Sequence, residues 1–228
     1  MKLHSSIRGS PPLHVSVSAD AIVLQADPMF DEYVRTHVEP LLSPIARGLG
    51  RLGLTPTAIT VGTFAIAAGG AAAIAGGYPS AGLALWLVSR VGDGLDGILA
   101  RASNRVTAFG GYLDISLDMT AYSAMVVAFA TLYPEPRLVW LGILTGYVLS
   151  ITTTLALAAA ADRAGRTISA TNRTFQFTRG LAEGGETTLV YVAWVVFPAA
   201  VEPVAWAWCA VLFAAAIQRS MLAWGSLN

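Results

Sequence analysis

Several stretches of this chain reach the roughly 20 apolar residues that a helix needs to cross a bilayer, and nothing else in it constrains the fold as strongly. Composition agrees. Of 228 residues, 55% are hydrophobic and 12% charged, whereas about 25% are charged in an ordinary soluble domain. The 14 basic and 14 acidic residues cancel. That balance, with no recognisable RNA- or DNA-binding motif, removes the signature of a nucleic-acid binder. Cys209 stands alone, which excludes an internal disulfide and a cysteine metal cluster.

The expected architecture is an all-α integral membrane protein of about six transmembrane helices preceded by an interfacial amphipathic helix. Residues 1–27 lack an apolar run of signal-peptide length and read as a cytosolic tail. Across 28–52, Phe30, Tyr33, Val34, Leu41, Ile45, Leu49 and Leu52 recur at helical spacing with Arg35, Arg47 and Arg51 between them. That suits a juxtamembrane helix on the bilayer surface, broken near Pro40 and restarted at Ser43-Pro44, with a soluble helix hairpin as the alternative. Residues 53–228 form the membrane domain. Its expected spans run from Thr55-Pro56 to Gly76, Ser80 to Ala102, Ala108 to Tyr133, Leu138 to Ala161, Glu183 to Ala200 and Pro203 to Trp224. In the first, Ala65, Gly69, Ala73 and Gly77 make a small-residue stripe for close helix packing or a homodimer.

Arginine and lysine collect on the cytoplasmic side. Lys2, Arg8, Arg35, Arg47 and Arg51 precede the first span, Arg101 and Arg105 follow the second, and Arg163, Arg166, Arg173 and Arg179 follow the fourth, while the opposite loops hold Arg137. Both termini and the charged hairpin loops are therefore expected in the cytoplasm. Trp86, Trp140, Trp194, Trp206, Trp208 and Trp224 fit interfacial belts in part, though several suit a core equally. His4, His14 and His37 lie outside the spans.

Against this charge-poor background, spans two and three carry Asp93, Asp96, Asp114 and Asp118. An ionised side chain at bilayer depth costs several kcal/mol unless paired or hydrated, so each is a candidate functional residue. On a helix, Asp93, Asp96, Gly97, Ala100 and Arg101 share one face, and Gly110, Asp114, Asp118 and Tyr122 form a second stripe. The short connection makes the two helices antiparallel neighbours whose carboxylates face each other. Four such carboxylates repel unless a cation neutralises them. An all-oxygen set suits Mg²⁺, Mn²⁺ or Ca²⁺ over zinc, and Mg²⁺ usually shares its shell with substrate phosphates. Gly97 and Gly110 leave room for a ligand against the backbones.

The segment Asp93-Gly-Leu-Asp96-Gly97-Ile-Leu-Ala100-Arg101, then eight residues to Gly110, three to Asp114 and three to Asp118, resembles the signature of the CDP-alcohol phosphatidyltransferase family. The resemblance is firmest from Arg90 to Tyr122 and weaker at Leu54-Thr-Pro-Thr-Ala-Ile-Thr60. It implies that Asp93, Asp96 and Asp114 hold two divalent metals, Mg²⁺ or Mn²⁺, on the diphosphate of a CDP-linked donor, with Asp118 as a further ligand and general base. Gly97, Ala100, Arg101, Thr107 and Gly110 would line the CDP pocket. The implied reaction is attack of an acceptor hydroxyl on the lipid phosphate of CDP-diacylglycerol with release of CMP, in phospholipid biosynthesis at a bacterial inner membrane.

Other readings stay open at this level. Arg101 also suits a topology marker and Thr107 a helix cap. Arg179, in the loop before span five, is a candidate clamp for a phosphate-bearing acceptor such as glycerol 3-phosphate or inositol phosphate, or a contact to anionic lipid. The donor could instead carry a CDP-linked head group destined for diacylglycerol. A prenyltransferase would show a different aspartate motif, and a cation-coupled transporter would place its carboxylates at mid-membrane within a structural repeat.

Overall fold

The computed structural model describes residues 39–164 and 184–227, all of whose regular elements are helical. In chain order these are α1 (Glu39–Arg51), α2 (Pro56–Ala75), α3 (Pro79–Ala102), α4 (Ala108–Leu132), α5 (Arg137–Arg163), α6 (Gly184–Val196), a 3₁₀ turn (Pro198–Ala200) and α7 (Val201–Leu227). The tail 1–27, the start of the juxtamembrane region and His4, His14 and His37 lie outside the described residues, as do Arg166, Arg173 and Arg179.

Local sequence sets the ends of these helices. Thr55 caps α2 by accepting from the Ala58 amide at 3.1 Å, with Pro56 at the first helical position. The far end closes through Gly77, whose φ of +86° lets the Tyr78 amide reach back to the Ala73 carbonyl at 2.9 Å. The same closure ends α3 without a glycine: Asn104 sits at φ 53°, and the Arg105 amide donates to the Ala100 carbonyl. Thr107 then starts α4 by accepting from the Gly110 amide at 3.0 Å. Two tight caps separated by a few residues thus reverse the chain next to the aspartates.

Pro56–Ala75, Ala108–Leu132, Arg137–Arg163 and Pro198–Gly225 are long and apolar enough to cross a membrane. With 24 residues α3 has the length as well, but Arg90, Asp93, Asp96 and Arg101 make it too charged to stand among them on composition. As described, α6 has 13 residues, too few for a crossing alone. Leu138, Leu141, Val148, Leu189 and Ile217 are exposed on the outer faces, as a lipid-facing surface requires. The protein is a membrane protein.

Three details differ from expectation. First, α1 begins at Glu39 and runs through Pro44, which lies inside it rather than starting it. Pro44 has no amide hydrogen, so the Pro40 carbonyl goes without that helical donor. Second, Ala65, Gly69 and Gly77 are exposed, and the buried face of α2 is Ile59, Thr60, Thr63, Ala67, Gly70, Ala71 and Ile74. Close approach comes from Gly70 against Gly82 of α3, where a Cβ on Gly70 would lie 2.8 Å from the Gly82 carbonyl oxygen. Third, α3 and α4 are not a packed pair. Both lean on α2 and their backbones stay apart, so their functional side chains meet across a gap.

The main core is aromatic. Trp86, Phe129, Tyr191 and Trp194 are fully buried and Trp140 and Trp208 nearly so, while Trp206 and Trp224 are exposed. Four of the six tryptophans are therefore core rather than belt. Lipid tails are as apolar as these side chains, so the core is held by packing and by interhelical hydrogen bonds worth about 0.6–2 kcal/mol each. These include Tyr147 to Tyr191 at 3.1 Å, Trp208 to Tyr147 at 3.4 Å and Trp86 to Thr188 at 3.2 Å. A second, smaller cluster of Ala46, Ile59, Leu95, Ile98 and Leu99 fastens α1 to α2 and α3.

Candidate active site

Helical periodicity puts Asp93 and Asp96 on the side of α3 that faces α4, and Asp114 on the answering side of α4. One carboxylate oxygen from each of the three lies within 4.8 Å of the others. Asp96 is buried and Asp93 and Asp114 are half-buried. No histidine or cysteine ligand joins them in the described residues. The donor set is thus hard oxygen throughout, converging over a distance that one cation can span, and it fits a divalent metal of the Mg²⁺ or Mn²⁺ type.

Two contacts fix this group from outside. Thr60 of α2 donates from its hydroxyl to Asp96 Oδ2 at 2.5 Å. Arg90 of α3, one turn before Asp93, donates to Asp118 Oδ1 at 2.7 Å and stands 3.8 Å from Asp93 Oδ2. Its guanidinium lies 4.4 Å from the Trp86 ring centre and 5.4 Å from that of Tyr122, whose hydroxyl it also meets at 3.4 Å. Such stacking adds cation–π attraction where water is scarce. Asp93, Asp114, Asp118 and Arg90 line a small cavity of about 10 Å³ with Thr60 and Thr63, close to the space one water occupies.

The four aspartates therefore do not sit alike. Asp93, Asp96 and Asp114 converge, whereas Asp118 is one turn further along α4 and is held by Arg90. Among the expected CDP-pocket residues, Gly97 lies close to Arg101, whose Nη1 would be 3.5 Å from a Cβ placed there, so the exposed guanidinium folds back along the carboxylate face of α3. Ala100 is half-buried beside them. Thr107 is a helix cap, and Gly110 is the residue whose amide it receives. Arg179 lies outside the described residues.

Sequence reasoning missed Arg90 and Thr60 as members of the site. A signal for Arg90 was present: an arginine deep in an apolar span, one turn from Asp93 and four residues after Trp86, needs a buried partner. Thr60 had none beyond its place in the segment that opens the first span.

A bundle of membrane helices that brings three carboxylates to one point, with a basic helix end beside them, is built to hold a divalent metal next to a phosphorylated ligand. The sequence profile of the CDP-alcohol phosphatidyltransferases matches residues 53–218, and the chain belongs to that family. It is 35% identical over 179 residues to Inner membrane protein YnjF of Escherichia coli, a match covering 75% of this chain and 84% of that one. Over 86 residues it is 38% identical to a phosphatidylinositol phosphate synthase of Mycobacterium tuberculosis, covering 37% of this chain and 40% of that one. The fold is similar to crystal structures of the Mycobacterium tuberculosis phosphatidylinositol phosphate synthase. The form with CDP-DAG bound superposes with a TM-score of 0.59 at 23% identity, over 81% of this chain and 94% of that one. The form in complex with manganese and citrate gives 0.60 at 23%, over 80% and 88%. The family and the carboxylate donor set agree on a divalent metal cofactor.

Proposed function

We propose that this chain transfers a phosphatidyl group from CDP-diacylglycerol to a hydroxyl of a small polar alcohol, with glycerol 3-phosphate or an inositol phosphate favoured, and releases CMP. The observation that carries this reading is the division of the aspartates into a converging trio and a separately held fourth. Asp93, Asp96 and Asp114, with Asp118 as a further ligand, would hold divalent metal in a two-metal arrangement, as the family resemblance implies. Metal bound there supplies positive charge that neutralises the diphosphate and stabilises the departing CMP.

The chain's own side chains do the rest. Asp118 accepts the proton of the acceptor hydroxyl as its oxygen bonds to the lipid-side phosphorus, while the bond from that phosphorus to the CMP oxygen breaks. Gly97 and Gly110 leave space for the nucleotide, and Arg101 pairs with its phosphates. A phosphate-bearing acceptor is favoured because Arg179 and its neighbouring arginines belong to the segment between α5 and α6, and because the relatives include phosphatidylinositol phosphate synthases. The arginines between the spans also support cytoplasmic termini and a cytoplasmic active site. Similarity to an inner membrane protein of Escherichia coli supports that location.

The test is CMP release by purified, detergent-solubilised protein from CDP-diacylglycerol with Mn²⁺ or Mg²⁺ across a panel of acceptors. The expected result is release that requires metal and one phosphate-bearing alcohol, with Arg179→Ala raising the KM for that alcohol. Equal release with serine or another unphosphorylated alcohol would remove the acceptor assignment, and no release from folded protein would remove the donor.

A further inference from the structure

The apolar residues of α1 do not all point into the protein. Ala46 is fully buried, and Leu42 and Leu49 pack with it on Ile59 of α2 and on Leu95, Ile98 and Leu99 of α3. Leu41 and Ile45, with Leu52 one residue past the helix end, are bare, the first and last of them 74% and 80% exposed. Arg47 and Arg51 are exposed as well. At about 100° per residue these three sets fall in three separate sectors of the helix, one packed, one apolar and bare, one basic. Among the described residues neither arginine joins an ion pair, and Arg47 Nε meets the Ser43 carbonyl of its own helix at 3.3 Å.

The place of α1 in the bundle says what covers the two outer sectors. Ile59 lies in the first turn of α2 and Leu99 in the last turn of α3, so α1 sits at the end of the bundle where one helix begins and the other stops. Arg101 and Arg105, both exposed, belong to the same end. Leucine and isoleucine at that level reach the acyl layer, and arginines flanking them reach lipid phosphates. An anionic surface favours each such arginine by about five-fold in affinity. We propose that the bare and basic sectors of α1 form a docking surface for anionic phospholipid headgroups, and that lipid held there braces α3 from behind. The packed sector meets α3 on the side opposite Asp93, Asp96 and Gly97. The fit is close: a Cβ on Gly50 would lie 2.9 Å from Leu99 Cδ1, and one on Gly94 3.7 Å from Leu42 Cδ1. Lipid that fixes the outer sectors of α1 therefore steadies the helix that carries two of the site's carboxylates. The proposal stands on the packing and charge of α1 and does not depend on the transferase reading.

The test uses the full-length protein in phosphatidylcholine nanodiscs. Cys209→Ala leaves Leu41→Cys as the one labelling site, and a fluorophore there is quenched by a minority of brominated phosphatidylglycerol or, in a matched set, brominated phosphatidylcholine. Phosphatidylglycerol is expected to quench more strongly. Glutamine at Arg47 or at Arg51 should reduce that preference about five-fold, and raised salt should weaken it in the unaltered arginine background. Arg47→Lys with Arg51→Lys keeps the charge and should keep most of the preference, and Arg137→Gln, at the opposite end of the bundle, should leave it unchanged. Both arginines are exposed, so their glutamine variants leave no buried charge behind, and the salt arm needs no variant there at all. Equal quenching by the two lipids overturns the docking surface, as does a preference that survives glutamine at both positions. The brace is read by amide hydrogen exchange across Leu95–Ala102, expected to slow about five-fold when phosphatidylglycerol is added and to lose that response with glutamine at both positions. Exchange that is the same in both lipids overturns the brace.

Discussion

The hydroxyl of Thr60 on α2 donates a 2.5 Å hydrogen bond to Oδ2 of Asp96 on α3, tying the most buried of the site carboxylates to a helix that contributes no carboxylate of its own. Asp96 is 7% exposed, so this bond replaces water that cannot reach it. Thr60→Val keeps the shape and removes the donor. It should cost about 10–100-fold in metal affinity or turnover. Thr60→Ser should restore most of the loss, because the hydroxyl returns, and a Thr60→Val enzyme with wild-type metal dependence would show that the bond only packs the helices.

Asp93, Asp96 and Asp114 each bring a carboxylate oxygen within 4.8 Å of the others, close enough for one cation to meet all three. Asparagine at any of them removes a charge and a strong oxygen ligand together. Each single variant should lose at least 100-fold in CMP release, roughly the upper end of what a single catalytic or metal-site group supplies. Chelation with EDTA should abolish wild-type release, and added Mn²⁺ should recover it. Retained release in EDTA would remove the metal role of all three.

How much of this could be read from the sequence depends on whether a feature is local. Helix ends were legible because caps are short-range: Thr55-Pro56 marked the start of α2, and Thr107 was already a candidate cap. The faces that carry the aspartates followed from periodicity alone. What the sequence does not encode locally is which face of one helix meets which face of another. Ala65, Gly69, Ala73 and Gly77 satisfy the small-residue pattern, yet Gly70 makes the close contact, because the crossing is fixed by Gly82 on the partner helix. Likewise Asp118 has the same one-turn spacing from Asp114 whether it binds metal or arginine. Its pairing depends on Arg90, 28 positions away on another helix.

The Gly70 and Gly82 contact gives a stability prediction. A Cβ on Gly82 would stand 2.5 Å from the Gly70 carbonyl oxygen and would collide with the Ile74 side chain. Backbone cannot yield as a flexible side chain can, so Gly82→Ala must push α2 and α3 apart. The expected cost is about 1–3 kcal/mol, as for overpacking in a tight core, seen as a lower Tm in detergent. Gly62→Ala, on α2 with nothing within 4 Å of its added carbon, should leave Tm unchanged. Equal Tm values for the two variants would refute the close crossing.

Asp118 lines the cavity beside the metal-binding trio and meets Arg90 through one oxygen, the arrangement expected of a base that must remain free to take a proton. Asp118→Asn keeps the size of the side chain and removes the proton acceptor. A positioned general base contributes about 10²–10⁴-fold, so kcat should fall by at least about 100-fold. Binding of CDP in the presence of Mn²⁺ should survive, since the trio is intact. Equilibrium binding of CDP and the rate of CMP release, measured on the same preparation, separate the two effects. If both fall together, Asp118 belongs to the binding set, and if neither falls, the acceptor loses its proton to another group.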